Sequence, residues 1–283
     1  MIDRRSVLQL LGAAAAGSTG LTALARPALD LSNPADFLTA VAKLRGSADD
    51  RLCLGWVIGT RYAVIDHAAI PMMGILAATF SRYRKVRDDA YEAKAIEIGY
   101  FTDLATGKLL ESWKNPVTGK TVEVPQVRMG PSAFTITAEG LTLQRAAGEA
   151  VGMELRHRFR PAVTRGDDVW ITEEIDVSGT PPGPEAKPFV YNEMSTYHAR
   201  KSDLDNPDLA TVPTAVDFHG LVTWRPWMGF GDTPGHTTAH GAGARADKLE
   251  DLPEYYVDLT AQYHPDVLEN SLAVLDGSDN NGE

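Results

Sequence analysis

The chain has 283 residues, 43% of them hydrophobic, which suffices for one large or two small domains with a buried core. Its 38 acidic residues outnumber its 27 basic ones, and the pI is near 5.1. This balance argues against nucleic acid as a partner, because binding phosphates needs clustered positive charge. The single cysteine, Cys53, excludes an intramolecular disulfide and a cysteine metal cluster, and its apolar surroundings are typical of packing.

Residues 1–25 have the pattern of an export leader. Asp3-Arg4-Arg5-Ser6-Val7-Leu8 resembles the twin-arginine motif, and the apolar run behind it ends in Ala23-Leu24-Ala25, a small-x-small cleavage site. This predicts a signal peptide, export in the folded state to a bacterial periplasm, and a mature chain starting near Arg26. An uncleaved N-terminal anchor is the alternative. In the mature region no apolar run is long enough for a membrane helix, so no stable membrane span is expected there.

The mature chain opens with one predicted helix and continues in strands. Asn33-Pro34 is a helix start, and the apolar face that follows ends before Gly46. Residues 52–65 are apolar on both faces apart from Arg61, which indicates one strand covered on both sides or two short strands broken at Gly59. Residues 75–86 and 91–101 are predicted to be neighbouring strands.

Turn signatures and alternation continue this pattern to the C-terminal region. Asp103–Gly107 and Asn115–Gly119 predict hairpin turns, and residues 134–138, 153–177 and 189–199 supply further strands. A helix is predicted from Pro253 to just before Pro265. Eight or more strands with little helix between them predict a mainly β fold, an antiparallel meander that closes into a lipocalin-like barrel with short N-terminal and C-terminal helices. We expect a single domain over residues 26–270 and a disordered tail over residues 271–283.

The hairpin at residues 153–177 places an ionisable residue on each of its apolar stripes. His157 lies between Leu155 and Phe159 on one stripe, and Glu173 lies between Ile171 and Ile175 on the other. A register with Phe159 opposite Ile171 sets His157 directly opposite Glu173. Burial raises the pKa of a carboxyl and a neighbouring imidazolium lowers it, so such a pair suits proton transfer near neutral pH. A purely structural pair is the alternative.

Residues 189–199 form a strand in which neither face is cleanly apolar. Tyr191 and Glu193 fall on one face, Asn192 and His198 on the other, and Tyr197 joins the first. This composition indicates either a strand lining a wet cavity or an edge strand facing solvent.

Residues 219–240 combine aromatic side chains with Pro and Gly. Trp224, Trp227 and Phe230 are suited to capping the mouth of a barrel and contacting an apolar ligand, or to plugging its end for stability alone. His236 and His240 have a helical ligand spacing, but the glycines around them argue against a helix that aims both at one ion. We therefore predict no metal and no cofactor.

Several motifs appear in the order of a known family: Gly99–Asp103, Trp113–Gly119, Tyr191–Glu193 and Trp224–Gly235. They resemble an uncharacterised bacterial family, domain of unknown function number 1838, over about residues 33–268. The resemblance implies a single domain and carries no mechanism. Trp113 and Asn115 of the second motif join the candidate substrate-binding residues.

Together these features predict a barrel that encloses a pocket for a small apolar or aromatic molecule. In the first hypothesis it is a cofactor-independent lyase or isomerase, in which Glu173 or Glu193 takes a proton and His157 or Tyr191 returns it. In the alternative it is a periplasmic binding or carrier protein without catalysis. The sequence leaves the substrate and the oligomeric state open. The candidate substrate-binding residues are Trp113, Asn115, Tyr197, His198, Trp224, Trp227 and Phe230.

Overall fold

A computed structural model describes residues 28–144, 153–180 and 187–277. The predicted leader at residues 1–25 and the end of the predicted tail, residues 278–283, lie outside this part of the chain, as does most of the loop after residue 180. In the described ranges no helix has both the length and the hydrophobicity of a transmembrane segment.

The protein is mostly β and forms one large antiparallel sheet that nearly closes into a barrel, which confirms the predicted fold class. The spatial order is β7-β6-β3-β2-β1-β13-β12-β11-β10-β8, with β9 paired to β10, and β4 and β5 form a separate two-stranded sheet. Residues 52–65 are one strand, although Gly59 lies within it. The strands are β1 Leu52–Ile65, β2 Ala68–Arg87, β3 Ala90–Thr102, β4 Ser112–Lys114, β5 Thr121–Glu123, β6 Val127–Ile136, β7 Leu141–Gln144, β8 Met153–Phe159, β9 Val163–Arg165, β10 Asp168–Gly179, β11 Phe189–Arg200, β12 Ala215–Val222 and β13 His236–Ala246.

Four of the five helices in the described ranges lie before the first strand or after the last one, as predicted, and the short α2 follows β11. Helix α1 begins after the N-cap Asn33, whose side chain accepts from two backbone N–H groups, and has Pro34 in its first turn. Residues 271–276, which the sequence assigns to the disordered tail, form a helix with Val274 and Leu275 buried, so a disordered tail cannot start at Ser271. The helices are α1 Pro34–Arg45, α2 Lys201–Asp205, α3 Glu254–Tyr263, α4 Pro265–Glu269 and α5 Ser271–Asp276.

The register predicted for residues 153–177 is wrong by two residues. Phe159 lies opposite Glu173 rather than Ile171, and His157 lies opposite Ile175. The reason is the turn: β9 pairs with β10 up to Arg165 opposite Asp168, so only two residues close the hairpin, and β8 follows in a different register behind β9. Both registers keep the same faces together, so His157 and Glu173 still point to the same side.

Apolar clusters close both ends of the barrel and cover part of its outside. Helix α1 packs one end, where Phe37, Leu38 and Val41 meet inward residues of β10 and β11. Trp113, Met228 and Phe230 close the other end. Helices α3 to α5 pack on the outer face of β1 to β3. The three clusters therefore bracket the middle of the barrel and leave it free of a continuous apolar filling.

Small and polar side chains line that middle section. Pairing and alternation turn Gly55, Thr79, Glu97, Gly220 and Glu193 toward the interior, each on a different strand. Four of these five keep partial exposure, whereas inward residues near the α1 end, such as Val169 and Ile171, are buried. A β-carbon added to Gly55 would meet nothing within 4 Å. The interior between the two apolar ends is consequently not tightly packed.

Candidate active site in the barrel interior

Glu173 lies at the α1 end of the interior and is fully paired. Its Oε1 accepts a hydrogen bond from the Tyr197 hydroxyl at 2.8 Å. Its Oε2 lies 3.1 Å from Nε2 of His157 and 3.2 Å from Nε of Arg45, which comes from the last turn of α1. Burial alone would raise the pKa of Glu173, but Arg45, His157 and Tyr197 outweigh it and hold the pKa below its ordinary value.

The predicted contact between His157 and Glu173 is confirmed, but the geometry gives it a structural role. The backbone N–H of Leu141 donates to Nδ1 of His157 at 3.1 Å, so that nitrogen carries no proton, and the proton on Nε2 is donated to Glu173. The side chains of His157 and Glu173 are 0% and 2% exposed. With both ring nitrogens engaged and no exposed surface, His157 has no atom to offer a ligand. The pair also ties β8 to β7, the two strands at the open seam of the barrel.

The polar residues of β11 divide between the two faces of the sheet. Tyr191, Glu193 and Tyr197 point inward, whereas Asn192 binds Asp176 and His198 stacks on Trp170 on the outer face. His198 also lies 2.8 Å from Asp168, so the structure places it outside the interior. Since β11 has paired neighbours on both sides, the alternative of an edge strand is wrong.

Glu193 is the central carboxyl of β11. It accepts hydrogen bonds from the Tyr191 hydroxyl and, at 2.9 Å, from Oγ of Ser195. Burial and the nearby charge of Glu173 raise its pKa. Burial and Glu193 raise the pKa of Tyr191 well above its ordinary value, so the phenol keeps its proton at neutral pH. Tyr191 and Glu193 thus form a hydrogen-bonded phenol and carboxylate facing the interior.

Glu97 of β3 is the carboxyl that sequence reasoning missed. It makes no hydrogen bond and no ion pair within the described ranges, and neither of its oxygens is among the atoms sealed without a partner. Its carboxylate therefore borders the interior space. Burial, and then the charge of Glu193, raise its pKa to about 7, although Arg225 and Arg61 oppose the shift. A carboxyl with this pKa exchanges its proton at neutral pH.

Two arginines face the same interior. Nη1 of Arg61 donates to Oγ1 of Thr237 at 3.1 Å, and its guanidinium lies 5.7 Å from the ring centre of Phe101. Arg225, in the loop after β12, lies 4.8 Å from the ring centre of Phe189. Burial and the charge of Arg225 lower the pKa of Arg61 to about 10, so Arg61 is still cationic at neutral pH. Sequence reasoning noted Arg61 only as an exception in an apolar strand.

The aromatic residues predicted to cap the barrel do meet at one end. Trp224 stacks on Phe230 with ring centres 3.7 Å apart, and Trp227 lies 5.4 Å from Phe101. Trp113 lies 6.3 Å from Phe230. The side chain of Trp224 donates to the carbonyl of Thr233 at 2.7 Å, which fixes the loop. These rings form the apolar end of the interior nearest Arg61 and Arg225.

Asn115 holds this aromatic end in place rather than facing the interior. It is 0% exposed, and its amide nitrogen donates to the carbonyl of Met228 at 2.9 Å. Its side-chain oxygen accepts from the backbone N–H groups of Val117 and Thr118. All of its polar atoms are thus engaged, which joins the β4–β5 hairpin to the tryptophan loop.

Other surface features lie away from these groups. Two open grooves of about 380 and 400 Å³ are present, and neither is lined by Glu97, Glu193 or Arg61. His240 stays on the outer face, 4.0 Å from Asp217. Over residues 28–144, 153–180 and 187–277, no three His, Cys, Asp or Glu side chains are arranged to hold a metal ion. The candidate site is therefore the interior set of Glu97, Tyr191, Glu193, Arg61 and Arg225.

Comparison with known proteins gives a family without an activity. The family model described as "Protein of unknown function (DUF1838)" matches residues 50–280. No curated protein matches the chain.

Proposed function

Because the chain belongs to the DUF1838 family, whose description names no activity, we propose its function from the barrel interior alone: it binds a small molecule there and moves a proton on it. Glu97 is the acid–base group, and the reaction is a cofactor-independent lyase or isomerase step. In this proposal the predicted twin-arginine leader places the activity in the periplasm.

The observation that carries this proposal is the isolation of the Glu97 carboxylate. A buried carboxyl in a structural role is hydrogen-bonded or paired, as Glu173 is. Glu97 has no such partner in the described residues, and its pKa of about 7 suits a group that both takes and returns a proton at neutral pH. A desolvated carboxyl without a partner is costly, so a ligand-facing role accounts for it better than a structural one.

The residues around Glu97 supply the other groups that proton transfer on a bound molecule requires. The guanidinium groups of Arg61 and Arg225 act on the same interior, so they can stabilise a ligand oxygen on which negative charge develops, whereas Tyr191 donates its one hydroxyl proton to Glu193. Trp227 and Phe101 supply an apolar wall for the carbon skeleton. In an isomerase the proton that Glu97 removes from carbon returns to another carbon atom. In a lyase the electron pair of the broken C–H bond forms a double bond, the leaving group departs with its bonding pair, and Glu97 passes the proton to it.

Identification of the bound molecule comes first in the test. Native mass spectrometry of the full chain purified under mild conditions would give the mass of any ligand it carries. That ligand, and a panel of small aromatic and aliphatic compounds with acidic C–H groups, would then be incubated with the protein in deuterated water and followed by NMR. We expect exchange or turnover with the wild type, and its loss in Glu97→Gln with binding retained.

Glu92→Gln is the matched control. Glu92 lies on the same strand but faces outward and pairs with Arg84 at 3.0 Å, so the change removes an identical charge away from the interior. Its activity should equal that of the wild type. Equal activity in Glu97→Gln would remove Glu97 from the chemistry. A tightly bound ligand that the wild type leaves unaltered would favour the carrier function instead.

A further inference from the structure

Arg61 presents a carboxylate-binding edge that no carboxylate of the described residues occupies. Its Nη1 donates to Oγ1 of Thr237, and its guanidinium lies 5.7 Å from the ring centre of Phe101. Its Nε is buried and has no hydrogen-bond partner, so a ligand oxygen reaches this nitrogen once the guanidinium turns slightly toward the interior. Within the described ranges Nη2 has no acceptor either, and no carboxylate oxygen lies within 4 Å of the guanidinium.

Nε and Nη2 form the side of an arginine that binds the two oxygens of one carboxylate. The protein uses this edge elsewhere: Nε and Nη2 of Arg82 bind the two oxygens of Asp50 at 2.7 and 3.0 Å. Arg160 binds Glu174 through the same two nitrogens. Arg61 has the same edge in a buried position, where an unmet N–H group is costlier than at the surface.

The interior carboxyls do not fill this edge. Both oxygens of Glu193 accept from Tyr191 and Ser195, and Glu97 stays beyond ion-pair distance of either arginine. Burial and then the charge of Arg225 lower the pKa of Arg61, and neither arginine has a carboxylate within ion-pair distance among the described residues. A monoanion bound between them would relieve this repulsion and satisfy Nε of Arg61.

We infer that the molecule bound in the barrel is a monoanionic carboxylate, whose two oxygens bind side-on to Nε and Nη2 of Arg61 with Arg225 facing the same charge. This rests on the proposed function in one respect only, that the ligand occupies the interior. Arg61 is a binding residue in this assignment, and the aromatic end beyond it receives the rest of the molecule. The carboxylate thereby directs the adjoining carbon atoms toward the interior where Glu97 lies.

Acetate is the probe, because it is small enough for any interior that admits a ligand. The Nε–H signals of the arginines would be followed by NMR in the ¹⁵N-labelled full chain during titration with sodium acetate, with acetamide, sodium chloride and sodium phosphate as comparisons at constant ionic strength. We expect a saturable downfield shift of the Arg61 signal with acetate alone. No variant is needed for this reading, so it does not depend on how a mutant folds.

Variants then assign the site. Calorimetry should show acetate binding at least about tenfold weaker in Arg61→Lys, which keeps the charge but loses the two-pronged edge. Arg84→Lys, the same substitution on the outer surface, should bind acetate as the wild type does. An Arg61 signal that moves no further with acetate than with chloride, or that responds to acetamide or phosphate equally, would overturn the inference.

The two proposals fail separately. If acetate leaves Arg61 unchanged while Glu97→Gln abolishes turnover, the carboxylate assignment is wrong and the acid–base function stands. If acetate saturates Arg61 while Glu97→Gln keeps full turnover, the ligand class stands and the role of Glu97 is wrong.

Discussion

Replacing Glu97 with Gln should stabilise the protein above pH 7 and change little at pH 5. The pKa of Glu97 rises from its ordinary 4.5 to about 7 on folding. A raised carboxyl pKa means that the folded state holds its proton more tightly, so this contribution to stability is full below pH 4.5 and is lost as the pH rises through 7. A shift of this size corresponds to about 3 kcal/mol, and glutamine, which does not titrate, avoids that loss.

Urea unfolding at pH 5 and pH 8.5 would measure this effect, with the free energy of unfolding extrapolated for each protein. From pH 5 to pH 8.5, the free energy of unfolding of Glu97→Gln should rise by about 2 to 3 kcal/mol relative to that of the wild type. Glu92→Gln, on the outer side of the same strand, serves as the control and should show no such movement. Parallel pH profiles for Glu97→Gln and wild type would refute the placement of Glu97 in a desolvated interior.

Two further predictions concern the frame around the site. Arg45→Met should lower the free energy of unfolding by roughly 3 to 5 kcal/mol, because it leaves the Glu173 carboxylate buried without its counter-charge. The double variant with Glu173→Leu should lose clearly less than the sum of the two single changes. Chemical unfolding of the wild type and the three variants measures this, and additive losses would contradict the pairing. Gly55→Ala should change the free energy of unfolding by no more than about 1 kcal/mol, because the added β-carbon enters open interior space. Gly243→Ala should lower it by more than about 2 kcal/mol, because the β-carbon would overlap the carbonyl oxygen of Trp56. Thermal unfolding compares the two, and equal losses would show that the interior at Gly55 is packed.

The barrel was predictable because strand alternation and turn residues are local signals. The start of α1 at Asn33-Pro34 and the turns at Asp103–Gly107 and Asn115–Gly119 each depend on neighbours in the chain, and the structure places them as expected. The contact between His157 and Glu173 was also found, since a two-residue error in register keeps both side chains on the same face.

Glu97 was missed because alternation shows that a strand has two faces and does not show which one is inside. On β3 the apolar face of Ile96, Ile98 and Tyr100 points outward, where α3 to α5 cover it. The inward face carries Glu97 between Ala95 and Gly99, and the outward face begins with the charged Glu92 and Lys94, so neither face is cleanly polar. Only the docking of helices from the far end of the chain settles the assignment, and no local pattern encodes that contact.

Arg61 and Arg225 were beyond sequence reasoning for a related reason. They come from β1 and from the loop after β12, and the barrel brings them together across strand β13. A glutamate or arginine in an apolar strand is visible in a sequence, but its partners are fixed by closure of the whole sheet.

The position of Arg45 has a consequence for the order in which the fold is completed. Glu173 belongs to a strand late in the chain, yet its neutralising cation arrives on helix α1, ahead of every strand of the barrel. Until α1 packs on the barrel, the Glu173 carboxylate is either hydrated or lacks its counter-charge, so water is not excluded from the end of the barrel beneath α1. Detaching α1 should therefore admit water to β10 and β11 and speed amide hydrogen exchange there and around Tyr83 and Tyr91, which share its cluster. The parts of β1 to β3 under the C-terminal helices should keep their protection. Helix α1 thus excludes water from a core formed by residues far from it in the chain.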